Sequence, residues 1–149
     1  MVHQTEYSTP FKRQNFNCKQ LHRLTEFHIG DIVTYLTKVS LVPGAKEVLM
    51  YTTLHGSVGI FIPFSTRDDI EFFSLLENQI RQEQPPLFGR DHMSFRSAYN
   101  PVKSVVDGDL CEHYLLLAPE KRREVAEAMD RVANEIVKKL EDIRNRVAF

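Results

Sequence analysis

The hydrophobic pattern of the first half of the chain is that of β-strands. Within Asp31–Val39, β-branched and aromatic residues recur at every second position, which is the period of a strand. The pair Pro43-Gly44 predicts a type II turn after it. A second strand at about 47–54 and a third at about 57–63 follow, joined by the two-residue connection His55-Gly56. The pattern therefore predicts an antiparallel meander.

Both faces of this predicted meander carry apolar residues. Val48–Tyr51 in the second strand and Ile60–Ile62 in the third are continuous apolar runs. Three such strands do not cover both of their surfaces or satisfy their own edges. We therefore expect other protein to pack on the meander, either the helices of this chain or another piece of protein.

From Ser65 onward the apolar residues follow a helical period. Ser65 is the predicted N-cap of a first helix, which has Asp68 in its first turn and stops at Pro85-Pro86. A short helix is expected at about 91–98. Asp107 is the predicted N-cap of the next helix.

The last part of the chain carries a long apolar seam after Pro119. Its members step by three or four residues and are Val125, Met129, Val132, Ile136, Leu140, Ile143 and Val147. The seam predicts one helix of about thirty residues. The competing interpretation is a break at 132–134, with Asn134 capping a separate helix.

These elements predict an α+β fold, with an antiparallel β-meander followed by a C-terminal helical domain. The expected boundaries are a poorly defined N-terminal arm at 1–26, the meander at 27–64 and the helical domain at 65–149. The length of 149 residues, with 42% hydrophobic and 26% charged residues, is typical of a soluble globular chain with one core.

Charge and cysteine usage narrow the classes of partner. Lys and Arg number 19 and Asp and Glu 20, so no overall field draws the chain to phosphate backbones or anionic lipid. Cys18 and Cys111 form no C-x-x-C pair, which favours a reducing compartment, the cytosol or the nucleus. The apolar runs are too short to span a membrane. We expect indirect or weak RNA contact and no membrane partner.

Three clustered carboxylates are the best candidates for chemistry. Asp107, Asp109 and Glu112 would suit a magnesium or zinc site of a hydrolase, but an Asp N-cap followed by an acid in the first turn is the simpler explanation, and we favour capping strongly. The 6 histidines show no metal-binding spacing, and neither cysteine lies in a nucleophile motif. We therefore predict no enzyme, no cofactor, no metal site and no small-molecule substrate.

The connector between the meander and the last helices holds the candidate interaction residues. They are Arg90, Asp91, His92, Phe95 and Arg96. Guanidinium groups and an aromatic ring within one turn can pin a connector to a neighbouring sheet or to a partner subunit. We favour internal pinning over direct contact with another protein.

Several long blocks carry a family resemblance. They are Phe27–Asp31, Tyr51–Gly59, Pro85–His92, Ser94–Ser97, Val106–Glu112 and Lys138–Arg144. From about Phe27 to Phe149 the chain resembles the C-terminal segment of a family of triple β-propeller scaffolds. That family includes the damaged-DNA-binding propeller protein, the large cleavage-and-polyadenylation specificity subunit and the large propeller subunit of splicing factor 3b. The last block points to the splicing branch.

The resemblance implies a fold and a function. The fold would be the end of a β-propeller followed by the helical domain that props the propellers together. The function would be that of a non-enzymatic scaffold in the nucleus, in the splicing factor 3b complex associated with the U2 small nuclear ribonucleoprotein. Its partners would be the HEAT-repeat subunit and a small companion subunit. The alternative is a nucleic-acid-binding module of the damaged-DNA or polyadenylation branch, which would need a basic surface that the charge count does not indicate.

Overall fold

A computed structural model describes residues 22–84 and 88–148, in which three strands are followed by five α-helices. The strands are β1 (Val33–Val39), β2 (Val48–Thr53) and β3 (Val58–Phe61). The helices are α1 (Arg67–Glu83), α2 (His92–Phe95), α3 (Gly108–Glu112), α4 (Pro119–Ala128) and α5 (Ala133–Ala148), with a 3₁₀ turn at His113–Leu116 after α3. The predicted α+β class is confirmed for the described residues, whereas most of the predicted arm at 1–26 lies outside them.

The three strands form one antiparallel sheet in the order β1-β2-β3. Thr53 and Ser57 are joined by a hydrogen bond across the hairpin between β2 and β3, which leaves a three-residue loop, Leu54–Gly56. The predicted two-residue connection is therefore wrong. The Thr53 N–H donates to the Ser57 carbonyl at 2.9 Å, and the Gly56 N–H donates to the Thr53 carbonyl at 3.1 Å. Gly56 has φ of 87°, the left-handed backbone with which such a three-residue loop closes.

Helix α1 is capped by Thr66. The predicted N-cap, Ser65, is therefore wrong by one residue. Thr66 has an extended backbone, and its hydroxyl accepts the Asp69 N–H at 3.2 Å. That N–H belongs to the third helical residue, which is the donor that an N-cap side chain reaches. Ser65 lies one residue too early and instead receives a hydrogen bond from the Lys46 ammonium.

The C-terminal seam is divided between two helices, so the predicted single helix is wrong; the competing interpretation of a break is confirmed, although the break lies at 129–132. Helix α4 ends before Met129, and Asp130 takes a left-handed backbone with φ of 54°. Asn134 does not cap α5 but lies in its first turn, where the Val132 carbonyl accepts the Glu135 N–H at 2.9 Å. The apolar spacing continues across the break because both helices face the same core.

The buried core lies among the helices. Its members on α1, α3, α4 and α5 include Phe73, Leu76, Ile80, Leu110, Val125, Ile136, Leu140 and Ile143. Phe64, which follows β3, joins this core by stacking on Phe73 with ring centroids 5.5 Å apart. The helical part therefore buries its own apolar surface, whereas the strands lie beside that core.

A buried carboxylate joins the first helix to the last. Asp69 of α1 is buried, with its oxygens 2.6 Å from the Lys139 ammonium and 2.8 Å from the Arg146 guanidinium. Burial alone would raise the pKa of Asp69, but the hydrogen bonds from Lys139, Arg146 and Thr66 lower it to about 2. The ion cluster thus fixes the angle at which α5 closes over α1.

Candidate interaction surface

Asp107 is the centre of the connector. Its side chain is buried at the N-cap of α3, where one oxygen accepts the N–H groups of Asp109 at 3.1 Å and Leu110 at 3.4 Å. The other oxygen accepts hydrogen bonds from His92 Nε2 at 2.6 Å and Arg96 Nε at 2.7 Å. One carboxylate therefore holds both the start of α3 and the short helix α2.

The surroundings of Asp107 keep it ionised. Burial opposes its charge, but the hydrogen bond from His92 and the positive charge of Arg96 hold its pKa below the ordinary value. The Asp107 N–H donates to Glu77 Oε1 at 2.9 Å, and burial raises the pKa of Glu77. The Arg96 guanidinium also lies 5.1 Å from the centre of the Phe27 ring, a cation–π contact that adds the segment before β1 to the cluster.

The five candidate connector residues fall into two groups. His92 and Arg96 bind Asp107, and Asp91 accepts an ion pair from Arg81 of α1 at 3.3 Å. Arg90 is exposed, and so is much of the Phe95 ring. The first group makes the internal contacts that pinning requires, whereas the second is available for contact with another molecule.

Two members of the Asp107 cluster were not among the predicted site residues. Glu77 lies on α1 and is half-buried, with its carboxylate accepting the Asp107 N–H. Phe27 was named only as part of the block Phe27–Asp31 that resembles the family. A helical period places Glu77 correctly on α1 but gives no sign of a partner thirty residues later.

The sheet leaves apolar side chains in solvent. Tyr35 is 59% exposed and Val58 65% exposed, values typical of surface residues rather than of a sheet in a core. The other exposed apolar residues on or beside the strands are Ile32, Val33, Leu36, Leu54 and Ile60. Within the described residues, β1 and β3 each have a neighbouring strand on one side only. We call this surface the open sheet.

Two further aromatic rings protrude from the connector. Phe88 is 97% exposed and Tyr99 is 100% exposed. Rings of this kind are the usual anchors of protein interfaces, because they bury a large area with few rotatable bonds. The connector thus combines an internally fixed base with outward aromatic side chains.

The acidic residues are engaged in structural contacts. Asp107 caps α3, Asp109 accepts from Arg96 at 3.5 Å, and Glu112 accepts from Arg144 at 2.8 Å. In the described part of the chain, no three His, Cys, Asp or Glu side chains are grouped so that they could hold a metal ion. Burial raises the pKa of the Cys111 thiol, which disfavours the reactive thiolate.

None of the described helices combines the length and apolar character needed to cross a membrane.

Comparison with known proteins identifies the family. The family model described as "CPSF A subunit region" matches residues 3–116. The chain belongs to this CPSF A subunit family. Among curated members, Splicing factor 3B subunit 3 of Drosophila melanogaster is 53% identical over 126 residues, which are 85% of this chain and 10% of that protein. Spliceosome-associated protein 130 A of Arabidopsis thaliana is 52% identical over 128 residues, 86% of this chain and 10% of that protein.

The match extends to fungal members of the CPSF A subunit family. Pre-mRNA-splicing factor rse1 of Neurospora crassa is 50% identical over 123 residues, 83% of this chain and 10% of that protein. The predicted splicing branch of the family is therefore confirmed. These names describe splicing factors rather than enzymes. The chain spans about a tenth of the length of these relatives.

Proposed function

We propose that this chain is a non-enzymatic interaction segment of a splicing factor 3b type scaffold, acting in pre-mRNA splicing in the nucleus. The observation that carries the proposal is the open sheet beside a helical part that buries its own core. A surface with this many exposed apolar side chains is typical of an interface. The relatives are named as splicing proteins, which supports a role in splicing.

Residues 27–64 would be the end of a β-propeller in this proposal, with 65–149 as the helical domain beside it and 1–26 as an arm. Two observations support this division. The matched segment is about a tenth of the length of the relatives, which leaves room in such a protein for the strands that this proposal pairs with β1 and β3. Helices α1, α3, α4 and α5 already share a core and need no strand to complete it.

The partners would be proteins rather than nucleic acid. The resemblance points to the HEAT-repeat subunit and the small companion subunit of splicing factor 3b. The net charge of -1 gives no overall attraction to a phosphate backbone, and Arg81, Arg96 and Arg144 are already ion-paired within the chain. Contact through Phe88, Tyr99 and the open sheet would instead bury apolar area, which contributes roughly 25 cal/mol per Å².

Affinity capture tests the proposal directly. The full chain would be tagged and incubated with nuclear extract, and bound splicing factor 3b subunits would be quantified by mass spectrometry. We expect the Tyr35→Lys variant to lose about tenfold of the captured subunits, because a charge in the open sheet stays unpaired when buried. Leu75→Lys places the same charge on an exposed position of α1 and is the matched control.

Equal capture by wild type and Tyr35→Lys, with both proteins folded by circular dichroism, would refute the role of the open sheet. RNA binding by the chain, with a steep loss of affinity between low and physiological salt, would support the nucleic-acid alternative instead.

A further inference from the structure

A small cleft separates the open sheet from helix α3. It has a volume of about 130 Å³ and lies between aromatic rings on one side and acidic residues on the other. Its lining includes Phe27, Tyr51, Phe61, Arg96, Asp109 and Glu112. This is several times the roughly 10–15 Å³ that one water molecule needs by the same measure. That is room for the charged head of one side chain and the end of its stem.

The aromatic wall of the cleft is preformed. The rings of Tyr51 and Phe61 lie with centroids 5.3 Å apart, and Phe27 meets Phe61 edge-on at 5.9 Å. Tyr51 faces Gly59 across the β2–β3 pair, and a Cβ at Gly59 would come within 2.1 to 2.5 Å of the tyrosine ring. Glycine at this position therefore lets the Tyr51 ring lie flat across β3.

The charges around the cleft favour a cation. Three carboxylates lie beside two guanidinium groups: Asp107 and Asp109 contact Arg96, and Glu112 contacts Arg144, while Asp107 also binds the imidazole of His92. The Asp109 side chain is 91% exposed and touches Arg96 only at 3.5 Å, so it can turn toward an incoming group. Burial raises the pKa of Tyr51, and the negative charges of Asp109 and Asp107 raise it further against the opposing charge of Arg96.

The protein already contains one example of the chemistry. Arg96 lies over the Phe27 ring while its Nε donates to Asp107, so one guanidinium is held between an aromatic face and a carboxylate. Tyr51 and Asp109 offer the same pair of groups in the lining of the same open cleft. A planar guanidinium can stack on a ring and still donate to a carboxylate at its edge, which an ammonium does less well.

We propose that this cleft receives an arginine side chain of a protein bound to this chain. The guanidinium stacks on Tyr51 and donates to Asp109. This inference rests on the proposed interaction role, since it assumes a protein partner. Its test uses a small probe and no partner, so that the two proposals fail separately.

The test is an NMR titration of the ¹⁵N-labelled full chain with N-acetyl-arginine amide. N-acetyl-citrulline amide, which has the same shape without the charge, is the control probe. We expect saturable shifts of the Gly59 and Asp109 amide signals with arginine, with a dissociation constant on the order of 1–10 mM, and no saturable shifts with citrulline. The affinity should fall as salt is added.

Variants locate the site. Asp109→Asn should weaken arginine binding about three- to fivefold, whereas Asp142→Asn, the same change at an exposed position of α5, should leave it unchanged. Tyr51→Leu should weaken binding about fivefold and Tyr51→Phe should not. Dispersed spectra verify that each variant is folded, and the exposed Asp109 variant decides the matter if Tyr51→Leu unfolds.

Equal shifts from arginine and citrulline would overturn the proposal. So would shifts that map away from the cleft, or an Asp109→Asn variant that binds arginine as well as the wild type.

Discussion

Replacing Asp69 by Asn should loosen the contact between α1 and α5. The pKa of Asp69 is lowered from 3.8 to about 2 in the folded protein, a difference of about 1.8. At 1.36 kcal/mol for each pKa unit, the ionised carboxylate contributes about 2.4 kcal/mol to the free energy of unfolding. The loss on mutation stays near this value and below the 3–5 kcal/mol typical of buried pairs, because Lys139 and Arg146 are partly exposed and can regain water.

The effect of Asp69→Asn on stability should depend on pH in a definite direction. The folded pKa of Asp69 lies below the unfolded one, so its contribution is complete above about pH 5 and is lost as the pH falls from about 4 to 2. The stability difference between wild type and Asp69→Asn should therefore be largest at neutral pH and shrink toward zero near pH 2.

Urea unfolding followed by circular dichroism at several pH values measures this difference. At neutral pH we expect Asp69→Asn to lower the free energy of unfolding by about 2.4 kcal/mol. Asp68→Asn removes a neighbouring exposed acid of the same first turn and should cost only about 0.3–1 kcal/mol. The reasoning is refuted if the two variants cost the same, or if the Asp69→Asn effect is as large at pH 2 as at pH 7.

Three further substitutions probe other parts of the structure, each measured by urea unfolding. Asp107→Asn should destabilise by about 3 kcal/mol, because it leaves Arg96 beside a neutral amide and weakens the α3 cap. Gly59→Ala should cost about 1–3 kcal/mol, because the new methyl group meets the Tyr51 ring, and the cost should shrink in a Tyr51→Ala background. Asp130→Gly should stabilise by about 0.5–1 kcal/mol, because φ of 54° suits glycine.

Each of these has a contrary result. An Asp107→Asn variant as stable as the wild type would mean that the cluster does not fix the connector. A Gly59→Ala cost that is unchanged without the Tyr51 ring would point to backbone strain. A destabilising Asp130→Gly would mean that entropy of the unfolded chain outweighs the relief at this turn.

The local patterns predicted the elements well and their ends less well. All seven residues of β1 lie inside the predicted strand, and α1 stops just before Pro85-Pro86 as expected. One such error is the choice of Ser65 instead of Thr66 as the N-cap of α1, where both hydroxyl side chains suit the motif. Only the position of the Asp69 N–H distinguishes them.

The candidate site depended on contacts that a linear pattern does not contain. Asp107 was predicted as a cap from its position before Gly108, but its contacts to His92, Arg96 and Glu77 span 15, 11 and 30 residues. The prediction of a single helix along the apolar seam of α4 and α5 was wrong for a related reason. The spacing of apolar residues indicates which face of a helix is buried. It does not reveal a residue with a left-handed backbone, such as Asp130, at which one helix ends and the chain turns into the next.

The separation of the helical core from the open sheet implies that the two parts resist local opening unequally. Amide hydrogens on α1 and α5 are shielded by Phe73, Ile136 and Leu140 and should exchange with deuterium only on near-global unfolding. Those of β1 and β3, each of which pairs with a strand on one side only within the described residues, should exchange through small and frequent fluctuations. We expect such a sheet to adjust its twist when a further strand pairs with it, while the helices keep their shape.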